Sequence, residues 1–391
     1  MRKWLPLVAV CLGTFMLLVD VTIVTVALPD MARSLHTSFA DLQWVMDVYA
    51  LVLAALLLAA GSLGDRSGHR RVYTAGLVVF AGASLACGLA GNPAVLIAFR
   101  AVQGVGGAAM LATTVALISH LYSGRDLGTA FGVWGAVNGA AAAAGPILGG
   151  LLTQHLDWRW IFFVNLPISV AAVAMTLRYV GESRGTRRSG LDLTGLVTFT
   201  AAAGLATYAL IKGNDYGWGS ARTVGAFAVA GGALIAFVVA ELRGKAPLLD
   251  LSLFRRGTFT GVMIGALMLS GAAFSYLAYE SLWLQSVLGM GPVTAGLCFL
   301  PMSVAAFITA AMSGRVLAGR VTARTQIGVG LLLIAAGAAA QMAVGGGSSW
   351  TVLVPGLVVT GVGVGLATPM LVSTAVAAVG YQRAGMASGA V

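Results

Sequence analysis

Apolar stretches of about twenty residues recur along the whole chain, and they constrain its fold more than any other feature. A helix of that length spans the ~30 Å hydrocarbon core of a bilayer, because it rises about 1.5 Å per residue. Charged residues make up only 9% of the chain, whereas a soluble domain carries about a quarter. The sequence therefore excludes a single water-soluble core and predicts an all-α polytopic membrane protein.

The hydropathy pattern predicts twelve helical spans. The first is interpreted as a span and not as a signal peptide, because it is long and contains Asp20 in its middle. The approximate limits are 5–28, 43–63, 72–90, 94–119, 128–153, 160–180, 193–211, 222–240, 258–286, 292–313, 325–344 and 352–376.

Basic residues are unevenly distributed between alternate loops. Most of the 23 Lys and Arg residues fall in loops on the same side of the membrane as the N-terminus. The loops on the opposite side hold only Arg33, Arg159, Lys212 and Arg222. Cytoplasmic loops carry such an excess. We therefore expect a multi-pass protein of the cell membrane with a cytoplasmic N-terminus. Despite the formal charge of +10, the scatter of basic residues over short loops argues against a nucleic-acid partner.

An internal repeat suggests how the spans are organised. The loop Gly61–Arg71 has a degenerate echo at Gly314–Arg320, and repeated halves are typical of secondary transporters. The sequence predicts an N-terminal six-helix half at 1–180, an inserted two-helix linker at 191–242 and a C-terminal half at 255–391. The last of these contains only four helices, so we expect two further helices that this sequence lacks.

The loop that carries the repeat is predicted to act as a cytoplasmic gate. Its glycines permit tight turns, Asp65 is expected to cap the next helix or to pair with an arginine, and the arginines are expected to reach neighbouring helix ends. The alternative is a charged loop that only sets the orientation of the chain. The residues concerned are Gly61, Gly64, Asp65, Arg66, Gly68, Arg70 and Arg71.

Four charged residues fall at similar depths within the predicted spans. From the rise of a helix, Arg100 lies about 9 Å, Asp20 about 12 Å, Asp47 about 6 Å and Glu280 about 9 Å below the predicted outer surface. Buried charges are costly, so we expect the four to face one cavity, although Arg100 snorkelling to the surface and an interfacial Asp47 are alternatives. Asp20 and Arg100 are the candidates for proton coupling. The candidates for substrate contact are Asp47, Gln103, Asn138 and Glu280.

The fifth span is rich in glycine. Two GxxxG spacings allow another helix to pack closely, and Pro146 is expected to supply a hinge or a seal. Close packing without any further role is the alternative. The residues of this helix are Gly135, Gly139, Gly145, Pro146, Gly149 and Gly150.

Several of these segments together resemble the major facilitator superfamily, and within it the fourteen-span drug/proton antiporters of the EmrB/QacA type. The resemblance implies proton-coupled export of hydrophobic, often cationic drugs, with Asp20 and Arg100 in proton coupling and the fifth-span motif in antiport. Two departures are Thr25, where the family often has asparagine, and Glu280, at a usually apolar place. The segments that carry the resemblance are Leu18–Pro29, Gly61–Arg71, Arg100 with Gln103 and Gly104, Gly145–Gly150, Trp158–Pro167 and Leu284–Gly289.

The leading hypothesis is a proton-driven exporter of hydrophobic or cationic drugs that works by alternating access. We expect no cofactor, since the proton gradient supplies the energy, and no metal site. We expect a monomer whose partners are protons, a small substrate and the lipid bilayer. An enzyme is disfavoured because no nucleophile–base pair stands out. A transporter of one metabolite with the same fold, or a non-transporting membrane sensor, remains as an alternative.

Overall fold

The structure is a computed structural model that describes residues 2–37, 39–183, 192–244, 249–313, 320–345 and 347–379. Within these ranges the chain forms helices and no β-strand. In the described part of the chain, ten helices are long and apolar enough to cross a membrane, and two shorter apolar helices occupy Gly257–Ala273 and Leu300–Met312. The prediction of an all-α polytopic membrane protein is confirmed, and each of the twelve predicted spans coincides with helix.

The first six spans form seven helices. Helix α4 begins where the sequence predicts, because the Asn92 side chain accepts a hydrogen bond from the Val95 N–H at 2.9 Å and Pro93 follows. The sixth span is interrupted at Val164, since Pro167 lacks an N–H and crowds the carbonyl of Phe163. The helices are α1 (Leu5–Leu35), α2 (Phe39–Ser67), α3 (His69–Gly88), α4 (Pro93–Leu121), α5 (Gly124–His155), α6 (Trp160–Phe163) and α7 (Asn165–Tyr179).

The remaining six spans form eight helices. The ninth span breaks at Ser275, whose hydroxyl donates to the Gly271 carbonyl and competes with the backbone. The tenth breaks at Phe299, because Pro301 starts a new helix. The helices are α8 (Leu193–Tyr216), α9 (Ala221–Arg243), α10 (Gly257–Phe274), α11 (Leu277–Ser286), α12 (Pro292–Cys298), α13 (Leu300–Met312), α14 (Ala323–Gln341) and α15 (Leu353–Val379).

The helices pack around separate apolar cores. Two cores consist mainly of residues from α1 to α7, and two others of residues from α10 to α15. Helices α8 and α9 pack on each other and, through α8, on α2. Helix α5 joins the two groups, because it packs on α1 and also on α12, α13 and α15.

Two features of the sequence fall outside the described residues. One is the part of the repeat at 314–319, and the other is the expected approach to another helix after residue 379. The division into 1–180, 191–242 and 255–391 stays a prediction, with which the packing of α8 and α9 beside α2 agrees.

Candidate functional site

A buried ion pair links the first and fourth spans. Asp20 of α1 and Arg100 of α4 have side-chain exposures of 0% and 1%, and Arg100 Nη1 lies 2.6 Å from Asp20 Oδ2. Ionised groups buried in an apolar setting are stable only when they are paired and hydrogen-bonded. The sequence-based expectation that these two residues share one depth in the membrane thus agrees with a direct contact.

Amide side chains complete the site around the carboxylate. Gln103 Nε2 donates to Asp20 Oδ1 at 2.9 Å, while Gln103 Oε1 accepts from Arg100 Nη1 at 2.8 Å. Asn165, the first residue of α7, donates from Nδ2 to Asp20 Oδ1 at 3.1 Å and to Ser84 Oγ of α3 at 3.0 Å. Residues of α4 and α7 therefore hold Asp20, α3 contacts Asn165 behind it, and both carboxylate oxygens are hydrogen-bonded.

Helix α2 holds the other side of the guanidinium group. Arg100 Nε donates to the Val45 carbonyl at 2.9 Å, and its Cζ lies 4.2 Å from the centre of the Tyr49 ring. An arginine stacked on an aromatic face and bonded through its fork is held in one orientation. The alternative of Arg100 snorkelling to the membrane surface is wrong, since the side chain points into the protein.

A cavity of about 370 Å³ lies between the two groups of helices. Its walls come from α1, α2, α4 and α5 on one side and from α10, α13 and α15 on the other. This volume falls in the range of drug-sized ligand sites. The lining includes Leu18, Leu111, Trp134, Asn138, Leu269, Met302 and Thr368.

The expectation that four charges face one cavity is wrong for this structure. Asp20 and Arg100 are enclosed with Gln103 in their own network, and Asp47 and Glu280 are likewise absent from the lining of the cavity. Asp20 does not face the cavity because of its position around the helix axis. It lies two residues after Leu18, about 200° around α1, and Leu18 lines the cavity. Of the candidates for substrate contact, Asn138 lies at the cavity, and Asp47, Gln103 and Glu280 do not.

The two glycine pairs of α5 contact different partners. A Cβ on Gly139 would lie 3.3 Å from the Ser303 carbonyl oxygen, and one on Gly135 would lie 3.2 Å from the Pro369 ring, so this pair packs on α13 and α15. A Cβ on Gly149 would lie 2.9 Å from the carbonyl oxygen of Ile23 in α1. The close packing predicted from the GxxxG spacings is therefore present on two faces of one helix.

The other residues of that motif support the same contacts. Gly145 packs so closely on α1 that a Cβ there would collide with the Thr22 side chain, and Gly150 is buried. Pro146 lies inside α5 and faces Gly296 of α12, where an added Cβ would approach the proline Cβ to 2.6 Å. A hinge or a seal at Pro146 stays a prediction.

The predicted loop at 61–71 is mostly helical, because residues 61–67 belong to α2 and residues 69–71 to α3. The junction at Gly68 begins a polar cluster at the predicted cytoplasmic end. Gly68 has φ of 109°, which favours glycine, and Gly64 packs against Thr113 of α4. Asp65 Oδ1 lies 2.9 Å from His69 Nε2, so its described partner is a histidine and not an arginine. The N-cap of α3 is Gly68, so Asp65 does not cap that helix. Gly61 is buried and Arg66 is exposed.

The rest of the cluster comes from the segment after α7. Glu182 Oε2 lies 3.9 Å from Arg70 Nε and 3.5 Å from Arg71 Nε, and its Oε1 accepts from the Arg70 N–H at 3.1 Å. The Ser183 carbonyl accepts from the His69 N–H at 2.9 Å. The expectation that arginines of the loop reach a neighbouring helix end therefore agrees with the contacts of Arg70 and Arg71.

Sequence reasoning missed several polar residues of these sites, among them Asn165, His69 and Glu182. Asn165 is part of a segment that carries the family resemblance, yet only its depth and polarity in an apolar span could have assigned it to Asp20. The spacing of four residues between Asp65 and His69 is visible in the sequence. Glu182 has no such signal, because its arginine partners are more than a hundred residues away.

Comparison with known proteins agrees with this fold. Residues 10–391 match the model of the Major Facilitator Superfamily. The "Multidrug resistance protein Stp" of Mycobacterium tuberculosis is 38% identical over 386 residues, which cover 98% of this chain and 72% of that protein. The "Tetracenomycin C resistance and export protein" of Streptomyces glaucescens is 38% identical over 339 residues, which cover 86% of this chain and 62% of that protein.

A solved structure is similar over nearly the whole chain. The human organic anion transporter MFSD10 (TETRAN) superposes with a TM-score of 0.68 and 17% identity, covering 99% of this chain and 89% of that one. At this identity the similarity establishes the fold alone. The family match and the two bacterial relatives carry the classification. The chain belongs to the major facilitator superfamily and is a multi-pass membrane transporter, not an enzyme.

Proposed function

We propose that this protein exports hydrophobic drug-like molecules across the cell membrane in exchange for protons, as a monomer with a cytoplasmic N-terminus. The observation that carries the proposal is the Asp20–Arg100 pair, a carboxylate of 0% exposure held by a guanidinium in membrane-spanning helices. Ionisable groups at such a depth mark proton or substrate pathways in transporters. The central cavity between the two groups of helices is the proposed substrate site.

The geometry suggests how proton movement is coupled to transport. Protonation of Asp20 removes the negative charge that Arg100 neutralises, so the 2.6 Å contact loses its attraction. The same helix α1 contributes Leu18 to the cavity wall. A movement of α1 that accompanies protonation therefore changes the cavity, and a bound substrate biases the movement in turn.

The names of relatives support a drug as the substrate. Besides the two proteins described above, the "Puromycin resistance protein pur8" of Streptomyces alboniger is 34% identical over 399 residues. Each name refers to resistance or export. Membership of the fourteen-span antiporter type is part of the proposal, and it rests on the motifs around Asp20, Arg100 and Pro146.

The test uses everted membrane vesicles that contain the full-length protein. An acid-inside pH gradient is imposed, lipophilic cations such as ethidium and uncharged hydrophobic compounds are added separately, and proton release is followed beside substrate uptake. We expect substrate-triggered proton release in the wild type and its loss in Asp20→Asn. Asp157→Asn is the matched control, because Asp157 forms a partly exposed pair with Arg159 at 3.2 Å.

Two results would contradict the proposal in different ways. Unchanged proton release in Asp20→Asn removes Asp20 from coupling. Uptake without proton release for every compound removes antiport altogether and favours a facilitator with the same fold.

A further inference from the structure

The central cavity carries no charged side chain among the described residues that line it. The Asp20 carboxylate has 0% exposure and is bound to Arg100, and Asp47 and Glu280 lie outside the lining. A cation that entered the cavity would lose its hydration shell without gaining a counter-charge. That loss costs far more free energy than the burial of a neutral polar group.

Two buried side-chain oxygens of the lining have no hydrogen-bond partner among the described residues. They are Asn138 Oδ1 of α5 and Thr368 Oγ1 of α15. Buried polar atoms without partners are rare in proteins, and each one costs stability. The indole N–H of Trp134, also in the lining, already donates to Thr14 Oγ1 at 3.3 Å. Asn138 and Thr368 therefore each offer a ligand a buried oxygen that makes no other hydrogen bond within the described chain, and the hydroxyls of Ser270 and Ser303 lie in the same lining.

These two residues stand on walls that belong to different groups of helices. Asn138 lies beside the Gly135–Gly139 face of α5, and Thr368 precedes Pro369 of α15. A Cβ on Gly135 would lie 3.2 Å from the ring of Pro369, so the two walls approach each other closely here. Both residues line the cavity, so their side chains lie next to a ligand bound in it. One drug-sized molecule can thus bond to both walls.

We infer that the cavity selects uncharged amphipathic molecules that carry hydrogen-bond donors, with Asn138 and Thr368 as the residues that determine this specificity. The inference rests on the proposed function in taking this cavity as the substrate site. A ligand bonded to α5 and α15 at once connects the two groups of helices, so its binding favours the conformation in which they are close.

The experiment measures equilibrium binding to the purified full-length protein in lipid nanodiscs. Three radiolabelled probes are used: estradiol, which is uncharged and has two hydroxyl donors, its dimethyl ether, which has none, and the cation tetraphenylphosphonium. Saturable binding is expected for estradiol, weaker binding for the ether, and none for the cation. Asn138→Leu and Thr368→Val each preserve the size of the side chain. Each is expected to lower the affinity for estradiol about three- to tenfold, which corresponds to one hydrogen bond.

The matched control is Thr360→Val on the same helix, because Thr360 accepts from the Tyr276 hydroxyl at 3.2 Å and is outside the cavity lining. This variant is expected to leave estradiol binding unchanged. Affinity for the ether is expected to be the same in all variants, and elution as one species in size-exclusion chromatography checks that they fold.

Three outcomes overturn the inference. Tetraphenylphosphonium binding as tight as that of estradiol removes the preference for uncharged ligands. If Asn138→Leu and Thr368→Val lose as much affinity for the ether as for estradiol, the two residues do not act by hydrogen bonding. No saturable binding of any probe removes the cavity as the site. The proposed antiport is tested separately by proton release in Asp20→Asn. Antiport can therefore be refuted while the binding preference is confirmed, and the binding preference can be refuted while antiport is confirmed.

Discussion

Removal of the guanidinium group at Arg100 should destabilise the protein strongly. In Arg100→Met the Asp20 carboxylate stays at 0% exposure but loses the Nη1 contact of 2.6 Å. An uncompensated charge at a buried site costs about 3–5 kcal/mol of unfolding free energy. Since 1.4 kcal/mol is a factor of ten, the unfolding equilibrium should shift by roughly a hundredfold or more.

A double-mutant cycle isolates the pair from its surroundings. Asp20→Asn removes the buried charge, and a neutral amide in its place still meets the side chains of Gln103 and Asn165. The variant with both substitutions should therefore be more stable than the sum of the single losses predicts, with a coupling energy of about 3 kcal/mol. Arg100→Lys should fall between wild type and Arg100→Met, because lysine keeps the charge but not the fork that bonds Val45 and Gln103.

The assay is reversible unfolding in mixed micelles of a mild detergent and dodecyl sulfate, followed by tryptophan fluorescence. The control cycle uses Asp157→Asn and Arg159→Met, whose ion pair is partly exposed at 3.2 Å and should couple by less than about 1 kcal/mol. If the Asp20–Arg100 cycle gives a coupling no larger than the control, the pair does not stabilise the protein as a buried ion pair. The electrostatic reasoning for the site would then be refuted.

Two further predictions concern packing and the predicted cytoplasmic cluster. Gly145→Ala should destabilise the protein by about 1–3 kcal/mol through overpacking against Thr22. Gly139→Ala should destabilise it less, because the nearest contact of an added Cβ there is 3.3 Å. Equal unfolding midpoints for the two variants would contradict this prediction. Glu182→Ala should speed hydrogen exchange at the Arg70 amide, which Glu182 Oε1 holds at 3.1 Å. Hydrogen exchange is measured by mass spectrometry. An unchanged exchange rate in Glu182→Ala would show that this contact does not hold the segment after α7 in place.

The spans and the similar depths of Asp20 and Arg100 could be predicted from the sequence for simple physical reasons. Hydropathy over twenty residues fixes where helices cross the membrane, and every predicted span coincides with helix. The constant rise of a helix converts sequence position into depth, and the predicted depths of Asp20 and Arg100 differ by only about 3 Å. Depth alone decides such a pairing only when few charges compete for it.

Rotation about the helix axis could not be predicted in the same way. Asp20 and Leu18 are two residues apart, but only the packing decides that Leu18 faces the cavity while Asp20 faces α4 and α7. Apolar residues occupy every side of α1, so its residue pattern does not indicate which face packs inward. The same lack of a polar face explains why Gln103 was expected at the cavity and lies in the ion-pair network.

The separation of charge from the cavity bears on how coupling can work. The described lining contains no carboxylate, so a substrate there cannot exchange directly with a proton on one. In the proposed antiport, coupling is therefore mechanical, and α1 connects the two sites, with Leu18 at the cavity and Asp20 in the network. Helix α5 supports that connection, because Gly149 packs on Ile23 of α1. The same helix meets α13 through Gly139, farther along its length. In the proposed mechanism, a change in the charge of Asp20 that shifts α1 would be passed through α5 to the helices that form the opposite wall of the cavity.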